Sequence, residues 1–317
     1  MSDPTHKIPV LLSAVLGLAL IAIAVPSMEQ TLASGNIDEV IHTLSNRNDA
    51  ASLNLLSRAY YAIEQWDNAV KNGEKAVGLS PDNAMYHLWL GREYGEKAAA
   101  ANPLSAASLA RKTKAEFEQA VKLNPANVQA HADLAEYYTD APSIMGGGLD
   151  KARDQANQVA KYDQATSHWI LALIAEKDKR YSDAEKELQE AITVAKTPSQ
   201  YWMNLASFYQ RRSQADDMEK AITQALAQPG KSAEVYYNAA SELFHSGKNL
   251  AAAVQYLKQY LASNAMVEDA PAFRAHYLLG QIYEKMGNKS DAVGEYKASL
   301  ALASGFAPAS KALGRLP

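Results

Sequence analysis

Four of the seven histidines stand in one local setting: His87-x2-Leu90-Gly91, His131-x2-Leu134-Ala135, His168-x2-Leu171-Ala172 and His276-x2-Leu279-Gly280. Imidazole is the commonest metal ligand, so a recurrent His first raises a metal site. The spacing argues against one. If each His opens its own helix, equivalent positions on neighbouring helices lie roughly 10 Å apart, whereas a zinc ion needs every ligand about 2 Å away. These histidines are expected to pack. Gly146-Gly147-Gly148 precedes a helical pattern, and its amides could form an anion nest. However, no Gly-Lys-Ser/Thr follows, and Asp150 in the first turn would repel phosphate. A loop that needs positive φ is the plainer expectation. Arg111-Lys112-x-Lys114 alternates with Glu116 and Glu118 and reads as a solvated helix face. There is no His-Glu-x2-His, no Gly-x-Ser-x-Gly and no Gly-x-Gly-x2-Gly. With no cysteine, thiolate chemistry is excluded as well. The sequence is expected to be neither an enzyme nor the holder of a cofactor or metal.

The elements that carry these residues are helices. Of 317 residues 58 are alanine, and Gly (16) and Pro (12) are too few for a fibrous or linker-rich chain. A net charge of −4 disfavours nucleic acid as a partner. The N-terminus is a targeting segment. Residues 8–25 are almost wholly apolar (IPVLLSAVLGLALIAIAV), with Lys7 before them and Glu29, Asp38 and Glu39 after. Two readings stand: a signal peptide cleaved near Ala22-Ile23-Ala24, or an uncleaved membrane anchor. Both place the remainder outside the cytoplasm, in a bacterial periplasm or on the inner membrane, and the missing cysteines suit that compartment.

An internal repeat organises the rest. Leu53-x2-Leu56-Ser57-x2-Tyr60, His87-x2-Leu90-Gly91-x2-Tyr94, His131-x2-Leu134-Ala135-x2-Tyr138 and His168-x2-Leu171-Ala172 align with one another. Trp202-x2-Leu205-Ala206-x2-Tyr209, Tyr236-x2-Ala239-Ala240 and His276-x2-Leu279-Gly280-x2-Tyr283 continue the series. Each leads into a second segment, such as Ala69…Ala76…Ser80-Pro81, Phe117…Ala120…Asn124-Pro125 or Ala184…Leu188…Ala191. Large residues at helical spacing line one face, and the small residue lets the second helix approach.

This pattern resembles the tetratricopeptide repeat (TPR), two antiparallel helices with the signature W-x2-L-G-x2-Y…A-x3-F-x2-A…P. The resemblance implies an all-α fold: a right-handed superhelical solenoid of about seven TPR-like helix pairs. The repeats are read at about 49–82, 83–127, 128–164, 165–198, 199–232, 233–268 and 272–304, with a half repeat at 29–48 and a C-terminal cap at 305–317. The run Ala141-Pro142-Ser143-Ile144-Met145-Gly146-Gly147-Gly148 resembles an insertion carried by a bacterial subfamily of these proteins, to which no activity attaches.

In that family the concave surface is lined by helix A positions two, five, nine, twelve and thirteen. The resemblance therefore implies a partner-binding groove built from Arg58, Tyr61, Leu88, Arg92, Trp169, Met203, Arg211, Tyr237, Phe244, Arg274 and Tyr277. Aromatic anchors interleaved with Arg are the residue types of binding hot spots, and an extended or helical peptide would suit them. The expected function is a non-catalytic protein–protein interaction scaffold. The alternative is a carrier of a small or lipid-like molecule, held by the groove and the Gly-rich insert. Relatives that clamp a chaperone tail need Asn at the ninth position of the first unit. Arg58 stands there, so that activity is not carried over.

Overall fold

The computed structural model describes residues 27–316. The apolar run at 8–25 and its cleavage site lie outside the described residues. Among the described residues, no helix is long and apolar enough to cross a membrane.

Two short helices, α1 (Met28–Ser34) and α2 (Ile37–Leu44), precede seven helix pairs. The half repeat expected before unit one is thus a miniature pair. The units are α3 (Ala50–Ala62) with α4 (Trp66–Leu79), α5 (Ala84–Ala100) with α6 (Pro103–Leu123), and α7 (Val128–Asp140) with α8 (Leu149–Val159). They continue with α9 (Gln164–Lys177) and α10 (Tyr181–Val194), then α11 (Ser199–Arg211) and α12 (Ala215–Ala227). The last are α13 (Glu234–Ser246) with α14 (Leu250–Ala262) and α15 (Ala272–Lys285) with α16 (Lys289–Leu302), followed by α17 (Ala307–Arg315). The described residues form an all-α solenoid of paired helices.

Local chemistry sets the helix boundaries. Asp49, Asn83, Asn127 and Asp163 cap the first helices of four units, each side chain accepting from a first-turn backbone N–H. Unit two, at 83–127, is longer than its neighbours. Its extra residues lengthen the hairpin, so that α5 has 17 residues and α6 has 21, with Pro103 opening α6 behind its Asn102 cap.

The small residue of each first helix is a contact point. A Cβ at Gly91 would lie 2.5 Å from the Phe117 ring, and one at Gly280 would lie 2.6 Å from the Tyr296 ring. Where the facing residue is aliphatic, as Leu188 is, alanine suffices at that position: Ala172.

The two ends of the solenoid meet. Phe273 and Phe306 are buried in one cluster with Leu32, Ile37 and Leu56, their own rings packing edge to face at 5.1 Å. The opening of α15 abuts the Gly35 turn, where a Cβ would fall 2.7 Å from the Ala272 nitrogen. Arg274 donates to the Ala62 carbonyl at 2.8 Å, and the Ser304 amide donates to the Asp38 carboxylate at 3.0 Å. Helix starts from the last unit thus sit on helix ends from the first. These contacts close the superhelix on itself. Arg274 also places its cation at the C-terminus of α3, where orphan carbonyls and the helix dipole favour it. Each capping element expected at a free end covers the other.

Candidate binding site on the inner wall

The repeated histidines bind the wall together. His87 Nδ1 lies 2.5 Å from Glu116 and its Nε2 2.7 Å from the Pro81 carbonyl. His131 repeats this with Gln155 at 2.8 Å and the Pro125 carbonyl at 3.0 Å. His168 and His276 reach Glu187 and Glu295 at 2.7 and 2.6 Å. Each ties a first helix to the second helix of its own unit. Among the described residues, no three His, Asp or Glu side chains are placed to hold a metal.

The Gly-rich loop offers no anion nest. The amides of Gly146, Gly147 and Gly148 donate to the carbonyls of Ser143, Pro142 and Tyr138. A 3-10 turn at Ser143–Met145 leads into Gly146, which has φ 90° and rests on Lys114, while a Cβ at Gly147 would strike the Ala141 carbonyl. The insert is a closed turn seated on α6 through Gly146 and Lys114.

Closure of the superhelix remakes the groove. Arg58 Nε donates to Glu268 at 2.9 Å, and a second guanidinium nitrogen reaches the other carboxylate oxygen. Arg92 forms the same fork with Asp133, at 2.5 and 3.2 Å. Both guanidinium groups stack on Trp89, at 4.9 and 4.8 Å from its ring. Tyr61 packs edge-on against Trp89 at 5.7 Å and Trp66 at 5.4 Å. Arg211 makes two 2.8 Å hydrogen bonds to Glu176. All four arginines of the expected groove, Arg274 included, are therefore committed to acceptors within the chain.

Two of the expected lining residues are not in the groove. Leu88 is fully buried with Phe117 and Leu134, and Met203 is buried with Leu205 and Phe208. Both hold the fifth position, as Trp169 and Tyr237 do, and at Leu88 and Met203 the aliphatic side chain is buried, which is favourable. Tyr277 also stands at that position. It packs against Phe306 at 5.2 Å and Tyr296 at 5.7 Å, and so belongs to the closure. Trp169 is half-buried between two core clusters, and Phe244 lies beneath Lys285, whose Nζ is 5.1 Å from its ring.

Arg58, Tyr61, Tyr237 and Arg274 do come together. With Trp66, Trp89, Glu96, Glu268 and Asp269 they line a cavity of about 560 Å³. A second cavity of about 520 Å³ shares Tyr61, Trp89, Glu96 and Asp269 and adds Arg92, Asp133, Glu136 and Tyr137. Burial pushes the Tyr237 phenol up, and the same cause raises Tyr61. Burial also raises Asp133, with Arg92 opposing it, and raises Glu136, to which the charges of Asp133 and Asp140 add.

Sequence reasoning missed Trp89, Asp133, Glu268 and Asp269. The first two hold the sixth position, one beyond the family's groove template. The others lie in the α14–α15 connection, which spans nine residues (263–271) where the α4–α5 and α6–α7 connections span four. That length was the available signal, and only closure gives it meaning.

A tetratricopeptide-repeat family model matches residues 146–201 and 249–305. No curated protein matches the chain. Among solved structures, a thermophilic TPR protein of Thermus thermophilus is 17% identical with a TM-score of 0.47, over 57% of this chain and 98% of that one. A TPR protein of Parabacteroides merdae is 14% identical with a TM-score of 0.43, over 88% of this chain and 98% of that one. Pseudomonas aeruginosa pilF is 17% identical with a TM-score of 0.39, over 73% of this chain and 97% of that one.

Proposed function

From the tetratricopeptide-repeat match at residues 146–201 and 249–305, we propose that the chain is a non-catalytic scaffold whose inner wall holds a segment of a partner protein. One observation carries this reading. Although the superhelix closes on itself, it leaves open a cavity of about 560 Å³ lined by Tyr61, Trp66, Trp89 and Tyr237. Aromatic side chains around an open space gain apolar burial when a peptide enters, and they lose little side-chain entropy in doing so. Arg58, Arg92 and Arg274, each held by a carboxylate around this cavity and its neighbour, preorganise the wall, which lowers the ordering cost of binding.

The test is crosslinking. A photoreactive amino acid replacing Tyr237 should capture a partner in cells, and the same probe replacing Gln189 on the exposed face of α10 should not. Equal capture from both positions would sink the reading.

We further place the scaffold outside the cytoplasm, anchored or released. Support comes from the apolar run at residues 8–25 and the absence of cysteine. Alkaline phosphatase fused after residue 30 should be active, and removal of residues 1–26 from that fusion should abolish the activity. Activity that survives the deletion would count against this placement.

A further inference from the structure

One edge of the solenoid is built from the turns that lead from a second helix to the next first helix. Because the helices alternate in direction, the α4–α5, α6–α7, α8–α9 and α10–α11 turns share that edge. Large apolar side chains stand exposed on it: Leu79 and Met85, then Tyr162, then Val194. Leu79 and Met85 also line, with Leu123 of the next turn, one open depression of about 730 Å³. Between them come Lys122, Lys161 and Lys196, all exposed and with no acid in ion-pair distance among the described residues. Of the nearby acids, Asp163 is occupied as the cap of α9, and Asp82 is exposed. Apolar tips interleaved with free ammonium groups suit an anionic lipid surface, where the lysines meet phosphate and the tips enter the headgroup boundary.

The chain enters at the same edge. The Gly35 turn lies at the opposite one, against Ala272. From it α1 runs back toward the α2–α3 connection, which places Ser27 on the side of the α4–α5 turn. In the sequence the apolar run at 8–25 is separated from Met28 by Pro26 and Ser27 alone, a span of at most about 11 Å. In the anchored form of the placement proposed above, α1 therefore starts at the bilayer and this edge turns toward it. The last unit sits on the far ends of the first, so later units rise away from the bilayer. The α12–α13 turn, Gln228-Pro229-Gly230-Lys231-Ser232, carries no large apolar residue. Leu104, Ile144 and Met286 are exposed as well, but on the opposite edge, away from the chain entry.

We propose that the edge carrying Leu79, Met85, Tyr162 and Val194 docks on an anionic lipid surface, with Lys122, Lys161 and Lys196 meeting its phosphates. The proposal rests on the anchored form of the extracytoplasmic placement and gives the solenoid its orientation on the membrane. The full chain has no cysteine, so a single fluorophore can be placed by Tyr162→Cys, Val194→Cys, Ile144→Cys or Met286→Cys. Each labelled chain is reconstituted in vesicles of phosphatidylethanolamine and phosphatidylglycerol that contain a nitroxide-labelled lipid as quencher. Flotation with the vesicles reports attachment, and quenching reports which edge lies on the lipid. Labels at 162 and 194 should be quenched, and labels at 144 and 286 should not. Quenching at 162 and 194 should fall in vesicles of phosphatidylcholine alone, and likewise in the Lys122→Gln/Lys161→Gln/Lys196→Gln variant. In a chain that floats, equal quenching on both edges, or none, would overturn the docked edge and leave the anchor standing. Quenching indifferent to lipid charge would overturn the lysine contacts. A chain that does not float would overturn both readings.

Discussion

Arg58 and Glu268 stand 210 residues apart and form a two-point ion pair, with Nε to Oε1 at 2.9 Å. Their side chains are only 17% and 19% exposed. The pair spans the junction where the last unit returns to the first, so it reports directly on closure. Removing either partner strands a largely buried charge. Glu268→Gln and Arg58→Gln should each lower stability by about 1–3 kcal/mol, and the double variant should lose much less than the sum. Hydrogen exchange in the Glu268→Gln variant should rise in α1–α3 before it rises in α9–α12. Additive losses, or protection unchanged in α3, would mean that the pair does not hold the junction.

The apolar part of the junction should matter more. Phe306 is 1% exposed and touches Phe273 and Tyr277, so Phe306→Ala should cost about 3–5 kcal/mol. Since units of a solenoid contact mainly their neighbours, the middle repeats should survive the change. Small-angle scattering should then report a larger radius of gyration with helical circular dichroism nearly unchanged. An unchanged radius would refute closure by this seam.

Gly280 tests the contact logic of the repeat. In an ordinary helix interior, Gly→Ala stabilises by about 0.5–1 kcal/mol. Here the added Cβ meets the Tyr296 ring at 2.6 Å, so Gly280→Ala should instead cost about 1–3 kcal/mol. In the Tyr296→Leu background the sign should return to stabilising. A loss of the same size in both backgrounds would show that the ring is not the obstacle.

Glu93 should make stability depend on pH. It is fully buried over Gly73, where other units carry a larger side chain, and neither carboxylate oxygen has a partner. The nearby Ser57 hydroxyl donates to the Asn54 carbonyl instead. Burial holds this carboxyl well above the ordinary 4.5. A group whose folded pKa is raised contributes stability below its unfolded pKa and loses it as pH rises through the folded one. Glu93→Gln should therefore gain on the parent as pH rises from about 4.5, by about 1 kcal/mol or more at pH 8. Thermal melts across that range would show a constant difference if Glu93 were paired and ionised.

Much of the fold was legible because contacts within a helical repeat are local. The seven small residues from Ser57 to Gly280 and the capping Asp and Asn residues announce helix pairs within windows of a few tens of residues. The histidines could be placed as well, though the acceptors that hold them, such as Glu116 and Glu187, carry no distinguishing signal of their own. Of the expected groove, Arg58, Tyr61, Arg92 and Tyr237 do line the inner cavities, while Leu88 and Met203 belong to the core. A positional template marks which side of a helix faces inward. It does not say how closely the next helix lies, and that distance decides whether the fifth position is lining or core.

What the sequence by itself determined is the repeat: which positions are large, which are small, and where several first helices are capped. Those follow from periodicity and short-range hydrogen bonding, which a chain encodes locally. The tertiary structure alone decided that the superhelix returns to its start. Curvature and rise accumulate from small rotations at every interface, and no single residue records their sum. That sum brings Glu268 to Arg58 and Phe306 to Leu32. It converts an open groove into a closed wall whose arginines are paired.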